Sequence, residues 1–215
     1  MIKSRIIGID PGSNGSGIVL LEDGMIKCSA NLTNMQLYEK ITSWLIYSSV
    51  TVVVEDLAAY SLRLTPQVID TAKFIGELNY RVKNDAGANV VLLPRSAVKK
   101  WCFDYFNDIC IPLIDDKMGK KLFEACDLAT REDVRVDNNS RSKKKASFIW
   151  VDDKIVTECM KAYYKISLPA AGKGYEYGLK THGWQALACA TCWSKLQASQ
   201  NEFPQTSLPL FSSEP

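Results

Sequence analysis

The chain of 215 residues carries 26 Lys and Arg against 24 Asp and Glu, and its formal net charge of +2 is too small to indicate a partner by itself. Apolar residues make up 47% and charged residues 23% of the chain, as in ordinary soluble domains, and no run reaches the roughly 18 apolar residues that a membrane-spanning helix requires. This length predicts one main domain, and the first residues lack the pattern of a secretory signal peptide, so we expect a cytoplasmic protein.

Three strands in a meander open the predicted fold. The strands are predicted over residues 4–10, 16–22 and 25–32, separated by a glycine-rich turn and by the hairpin dipeptide Asp23-Gly24. Apolar residues at helical spacing then predict a helix over residues 34–47. The first quarter of the chain is therefore expected to pair its strands antiparallel.

Two further predicted strands alternate with helices. Residues 50–57 are apolar on both faces, as in a central strand that helices cover on each side, and residues 89–93 form the fifth strand. The resulting order βββαβαβα predicts an α/β fold: a mixed five-stranded sheet flanked by helices, with an antiparallel edge.

The helices of this part of the chain begin at recognisable residues. Pro66 opens a predicted helix over residues 66–86, and the small residues Ala72 and Gly76 on its apolar face predict close packing against the sheet. Ser96 is the predicted N-cap of a helix that continues through residue 101.

A charged segment interrupts the pattern between about residues 107 and 146 and is predicted to be an insertion or mobile loop. Its basic cluster would contact DNA phosphates or lie on a solvated loop, and charge alone does not separate these readings. The cluster consists of Arg141, Lys143, Lys144 and Lys145. Helical spacing resumes over residues 148–160 and again over residues 181–197, and residues 199–215 are predicted to form a disordered tail.

Seven cysteines are scattered along the chain, and Cys189 and Cys192 form its only Cys-x-x-Cys pair. The pair falls in an alanine-rich helical segment, with no second pair and only His182 nearby. Metal and redox sites require more ligands or a different setting, so we expect buried free thiols.

Two carboxylates end predicted strands. Asp10 closes the first strand and Glu55 lies at the end of the fourth. A buried carboxylate is costly unless it is paired or coordinates a metal, although Asp10 could also cap the turn that follows it. If the two strands are neighbours, the carboxylates face each other, and a divalent cation would relieve their repulsion. Oxygen ligands of this kind suit Mg²⁺ or Mn²⁺.

The combined motifs resemble the RuvC-type Holliday junction resolvases of the ribonuclease H-like superfamily. The resemblance covers most of residues 1–198 and is carried by five segments. These are Ile7-Gly8-Ile9-Asp10-Pro11-Gly12, Val53-Val54-Glu55, the helix after Thr65, Pro94-Arg95 with Val98-Lys99-Lys100, and His182-Gly183-Trp184-Gln185-Ala186-Leu187-Ala188.

The resemblance implies a ribonuclease H-like nuclease domain over residues 1–198 that resolves four-way DNA junctions as a homodimer. It also implies phosphodiester hydrolysis by two metal ions, Mg²⁺ or Mn²⁺. Asp10, Glu55 and His182 match the family's metal ligands and catalytic residues, although His182 could instead be a helix-cap residue. Contacts to the junction are implied for basic residues at and after the second predicted helix: Arg63, Lys73, Arg81, Lys99 and Lys100.

The chain departs from the family at one position. The family carries an Asp one turn after the His of the last helix, and this chain has Gln185 there. Asp152 or Asp153 could supply the missing carboxylate, or the protein could bind junctions and cut them weakly or not at all. An alteration of position 185 from the natural residue is a third reading.

The end of the chain resembles the peptides by which bacterial replication and repair proteins bind the DNA sliding clamp. We interpret four residues as its anchors, and the alternative is a chance match. The anchors are Gln205, Leu208, Leu210 and Phe211. Together with the nuclease resemblance, this peptide indicates the cytoplasm of a bacterial or phage-infected cell.

ATP-using proteins of the actin and sugar-kinase group form a competing class, because their first phosphate loop reads like Gly8-Ile9-Asp10-Pro11-Gly12-Ser13. Those proteins need two such domains and a second phosphate loop. A chain of 215 residues is too short for both.

Overall fold

The computed structural model describes residues 4–45, 50–57, 64–85, 87–105, 153–166 and 176–202. Its strands are β1 (Arg5–Asp10), β2 (Gly15–Glu22), β3 (Met25–Thr33), β4 (Thr51–Asp56) and β5 (Asn89–Pro94). Its α-helices are α1 (Asn34–Leu45), α2 (Pro66–Asp85), α3 (Arg95–Tyr105), α4 (Asp153–Tyr164) and α5 (Thr181–Glu202), and a short 3₁₀ helix spans Glu176–Gly178. The predicted order βββαβαβα is confirmed.

The five strands form one mixed sheet in the order β3-β2-β1-β4-β5. The pairs β1–β2 and β2–β3 are antiparallel, whereas β1–β4 and β4–β5 are parallel. Ile9 of β1 lies opposite Val54 of β4, so the next residue of each strand, Asp10 and Glu55, reaches the same edge of the sheet at the same level. Strands one and four are therefore neighbours, which is the condition under which the two carboxylates would face each other.

Alternation along the strands divides the core into two layers. Ile7 and Ile9 pack with α1 and α2 on one face of the sheet, while Ile6 and Val53 pack with α3, α4 and α5 on the other. Because side chains alternate with a period of two, Asp10 and Glu55 face the α5 side.

Helix α5 lies directly against the middle of the sheet. A Cβ at Gly8 would overlap the carbonyl oxygen of Ala186, and a Cβ at Gly17 would overlap the carbonyl oxygen of His182. Residues 183–192 are all buried, so this part of the helix is enclosed on every side. This contact fixes the first turn of α5 over the ends of β1 and β2.

Several predicted boundaries differ from the observed ones. Helix α3 begins at Arg95, one residue before the predicted cap Ser96. Helix α5 continues to Glu202, so the first residues of the predicted tail are helical. On α2 the buried positions include Ile75 and Leu78, whereas Ala72 and Gly76 are exposed, and the predicted close approach of these small residues to the sheet is wrong.

Some predictions fall outside the described residues: the charged insertion at 107–146, the beginning of the helix predicted over 148–160, and residues 203–215. The four buried cysteines of the described part, Cys102, Cys159, Cys189 and Cys192, are free thiols as expected. Within the described ranges, no helix has both the length and the apolar character needed to cross a membrane.

Candidate active site

Asp10 and Glu55 form a buried pair of carboxylates at the carboxyl ends of β1 and β4. Each residue is only 5% exposed. Burial, and then the charge of Asp10, raise the pKa of Glu55 to about 8. Within the described part of the chain, Glu55 Oε2 has no hydrogen-bond partner. Two ionised carboxylates both accept hydrogen bonds and neither donates, so a bond between them requires a proton on one of the two.

His182, in the first turn of α5, contacts the same pair. Its Nδ1 lies 2.7 Å from Asp10 Oδ2. The hydrogen bond to Asp10 is the main cause that raises the pKa of His182. The imidazole is about half exposed and borders a cleft of about 620 Å³ between the β1–β2 turn and the end of β3. His182 therefore connects the buried carboxylates with an open surface.

The glycine-containing turn that forms one wall of this cleft is held by Asn34, the first residue of α1. Asn34 Nδ2 donates to the carbonyl oxygens of Gly12 and Ser13 at 3.1 and 3.2 Å. Ser16, which is buried, donates its hydroxyl to Asn34 Oδ1 at 2.8 Å and accepts a bond from the Gly12 amide. No sequence signal singles out Asn34, because only the fold brings it to its partners, two backbone carbonyls of the turn and the Ser16 hydroxyl.

Arg95 places a positive charge at the carboxylates. It is the first residue of α3, directly after β5, and β5 is paired with β4. Arg95 Nε lies 3.5 Å from Glu55 Oε1, and its guanidinium also forms an ion pair with Asp153. Burial lowers the pKa of Arg95, but the charges of Glu55 and Asp153 outweigh that effect and raise it. In the sequence, Arg95 belongs to one of the motifs that carry the resemblance, but no role was predicted for it.

In the described part of the chain, Gln185 forms no hydrogen bond with Asp10 or Glu55. Its side chain is buried, and its Nε2 donates to the backbone carbonyl of Asp153 at 3.1 Å. The amide therefore ties α5 to the first residue of α4. Asp153 itself is 60% exposed and is paired with Arg95, and the other candidate for the missing carboxylate, Asp152, lies outside the described residues.

The residues predicted to contact DNA are divided between two faces of the sheet. Lys99 and Lys100 lie on α3, on the same side as Asp10 and Glu55, and Lys100 is paired with Asp104. Lys73 and Arg81 lie on α2, which packs on the opposite face, and each is paired with an acid of its own helix. The structure does not describe the remaining predicted site residues: Arg63, Arg141, Lys143, Lys144, Lys145, Gln205, Leu208, Leu210 and Phe211.

In the described ranges, no three His, Cys, Asp or Glu side chains surround a common point as a preformed metal site would require. The predicted ligands Asp10, Glu55 and His182 are brought together, but the ring of His182 is bonded to Asp10. The buried, unpartnered oxygen of Glu55 beside a second carboxylate nevertheless fits a hard divalent cation, because a cation would satisfy that oxygen and relieve the repulsion.

Comparison with known proteins finds similar structures but no similar sequences. No protein-family model and no curated protein matches the sequence. Among solved structures, the chain is similar to Thermus thermophilus RuvC in complex with a Holliday junction substrate, with a TM-score of 0.51 and 12% identity over 90% of this chain and 96% of that one. A second structure of Thermus thermophilus RuvC has a TM-score of 0.51 and 11% identity over 91% and 96%.

At these identities the likeness concerns the fold alone. The mixed five-stranded sheet with flanking helices is the ribonuclease H-like fold of RuvC, which confirms the predicted fold class.

Proposed function

We propose that this protein is a divalent-metal-dependent endonuclease that resolves four-way DNA junctions, acting in the cytoplasm of a bacterial or phage-infected cell. The observation that carries the proposal is the buried Asp10–Glu55 pair with its unpartnered oxygen. Such a pair is expensive to bury and does nothing for packing, so a role in binding a cation explains why it is there. The similarity of fold to RuvC bound to a Holliday junction supports the choice of substrate.

Asp10 and Glu55 would hold Mg²⁺ or Mn²⁺, and a cation so held supplies electrophilic stabilisation to a phosphodiester under attack. Asp10 also accepts the hydrogen bond of His182 Nδ1, which leaves Nε2 of the ring as the atom where His182 can accept or release a proton. The role of His182 as a further metal ligand stays a prediction.

The proposed DNA contacts are phosphate contacts, since junctions are recognised by shape rather than by base edges. Lys99 and Lys100 are the proposed contacts on this side of the sheet, which is supported by their position on α3, the helix that begins with Arg95. A homodimer is part of the proposal, since a four-way junction presents two symmetric strands to be cut.

A protein that binds junctions but cuts them weakly is the second candidate. It is favoured by Gln185, whose amide is bonded to the backbone of Asp153 where the resemblance predicts an acid. This candidate retains the fold and the phosphate contacts and differs only in the rate of hydrolysis.

A nicking assay on a synthetic four-way junction separates the two candidates. The proposal expects Mg²⁺-dependent cutting by the parent and loss of cutting by Asp10→Asn with junction binding retained. Asp56→Asn is the matched control, because Asp56 follows Glu55 on β4 and its side chain points to the other face of the sheet. Cutting by Asp10→Asn at the parent's rate would refute the active-site assignment, and binding without any cutting by the parent would favour the second candidate.

A further inference from the structure

In this structure, the positive charge that Glu55 contacts belongs to the side chain of Arg95. Arg95 Nε lies 3.5 Å from Glu55 Oε1, and the same guanidinium is paired with Asp153. Arg95 is held there by its position in the fold, since it is the first residue of α3 and follows the strand next to Glu55. An arginine stays charged at any physiological pH, so this positive charge is permanent.

The summed formal charge of the side chains at the site matches that of one divalent cation with the opposite sign. Asp10 and Glu55 lie side by side at the strand ends, and the guanidinium of Arg95 contacts Glu55 on one side and the exposed carboxylate of Asp153 on the other. With all three carboxylates ionised, the formal charge of this set is −2, which a single divalent cation balances.

The residue at position 185 also favours one bound cation per chain. An acid at this position would add the negative charge that a second cation needs, whereas the amide adds none. Its Nε2 is moreover bonded to the carbonyl of Asp153, so the side chain is already used to join α5 to α4. The site therefore has a positive charge at Arg95 and no negative charge at Gln185, and both features act against a second metal ion.

We propose that Arg95 takes the place of a second metal ion, so that the site binds one divalent cation per chain. This inference rests on the proposed function only for the identity of the site and departs from the two-metal chemistry that the sequence resemblance implies. Arg95 is a positioning residue in this scheme: its guanidinium supplies the positive charge next to Glu55 and Asp153 that a second cation would otherwise supply.

Mn²⁺ binding to the full-length protein tests the inference without reference to activity. Isothermal titration, with free Mn²⁺ counted by electron paramagnetic resonance, is expected to give one ion per chain for the parent. Arg95→Gln is expected to bind that ion on the order of tenfold more tightly, because a competing positive charge a few ångströms from the ligands is removed. Combining Arg95→Gln with Gln185→Asp is expected to raise the count to two.

Two further variants separate charge from packing. Arg95→Lys keeps the positive charge and is expected to keep the count at one. Arg5→Gln removes an arginine that is paired with Glu22 at the opposite end of β1, and is expected to leave both the count and the affinity unchanged. A thermal melt of each variant shows that it is folded. Should the double variant fail to fold, the parent count and the affinity of Arg95→Gln still decide the question.

Two Mn²⁺ ions bound by the parent, or an unchanged affinity in Arg95→Gln, would overturn the inference. One ion bound by a parent that cuts no junction would support the inference and refute the endonuclease activity. The absence of any Mn²⁺ binding would refute both.

Discussion

The backbone of His182 lies directly on Gly17: a Cβ at position 17 would overlap the carbonyl oxygen of His182 and crowd the amide of Gly183. Gly17 is paired with Asp10 across β1 and β2. The missing side chain of one residue therefore sets the distance between α5 and the strand that carries the acid, and with it the 2.7 Å bond between His182 and Asp10.

We expect Gly17→Ala to push the first turn of α5 away from the sheet. Overpacking of this kind costs about 1–3 kcal/mol of unfolding free energy, and loss of the His182–Asp10 contact should reduce strand cutting. Denaturant unfolding and the nicking assay measure the two effects.

The matched control is Gly76→Ala. Nothing lies within 4 Å of a Cβ at this exposed position of α2, so the substitution should increase stability by about 0.5–1 kcal/mol through helix propensity alone. Equal effects of the two substitutions would contradict the close contact at Gly17.

The sequence predicted the sheet well because its strands are short apolar runs separated by turn residues, and because parallel neighbours necessarily end at the same edge. Asp10 and Glu55 could be placed together on that ground. The role of Arg95 was missed although a signal existed: the first residue after a strand lies beside the end of the neighbouring strand, here the strand of Glu55.

Other features had no local signal. Ala72 and Gly76 are small enough for a close packing contact and equally suited to an exposed helix surface, so spacing alone could not decide between the two. Residues 183–192 of α5 are buried on all sides because α4 also packs on them, and α4 follows a long charged segment of the sequence. A tertiary arrangement of this kind is invisible to a search for periodicity.

The metal-free protein is expected to lose stability as pH rises from about 4.5 to about 8. The pKa of Glu55 rises from 4.5 to about 8 on folding, so in this range the folded state holds a proton that the unfolded state has released. Deprotonation then favours unfolding, with a slope of up to about 1.4 kcal/mol per pH unit from this group. Unfolding by urea in EDTA at a series of pH values measures the slope.

Glu55→Gln is the control for this titration, because the amide is nearly isosteric and cannot ionise. The variant should show a flatter profile than the parent, and Mg²⁺ should flatten the profile of the parent alone. His182 also has a raised pKa and contributes a slope of the same sign, so the difference between the parent and the variant, rather than either profile, reports Glu55. Identical profiles would mean that Glu55 is ionised throughout.

Gln185→Asp should have two opposed effects. The shorter acid cannot donate to the carbonyl of Asp153, so the link between α5 and α4 is lost at a cost of about 1–3 kcal/mol. The added negative charge should lower the Mg²⁺ concentration needed for half-maximal cutting. A thermal melt in EDTA and a Mg²⁺ titration of the nicking rate measure the two effects separately.

Asp152→Asn and Asp153→Asn accompany this titration. If one of these acids supplies the missing carboxylate, its substitution should raise the Mg²⁺ concentration needed for cutting. Adding Gln185→Asp to that variant should lower the concentration again. A Gln185→Asp protein with the Mg²⁺ dependence of the parent would show that position 185 lies too far from the metal to act on it.

The last prediction concerns the segment after α5, which lies outside the described residues. We expect this segment to bind a bacterial sliding clamp, with Leu208, Leu210 and Phe211 in an apolar pocket and Gln205 as a polar anchor. The expected affinity is about micromolar, because few side chains are buried and a free segment must be ordered. Binding of this strength is sufficient for a tether, which raises the local concentration of the enzyme on DNA.

Removal of residues 204–215 should therefore abolish clamp binding in a calorimetric titration and leave the cutting of a free junction unchanged. Because α5 ends at Glu202, the truncation spares every residue of the candidate site. The double variant Leu210→Ala, Phe211→Ala tests the motif without shortening the chain, and Ser212→Ala is its control just beyond the last anchor. Clamp binding by the double variant equal to that of the parent, or no binding by either, would identify the motif as a chance match, since the loss of two buried apolar side chains should weaken a micromolar contact by at least about tenfold.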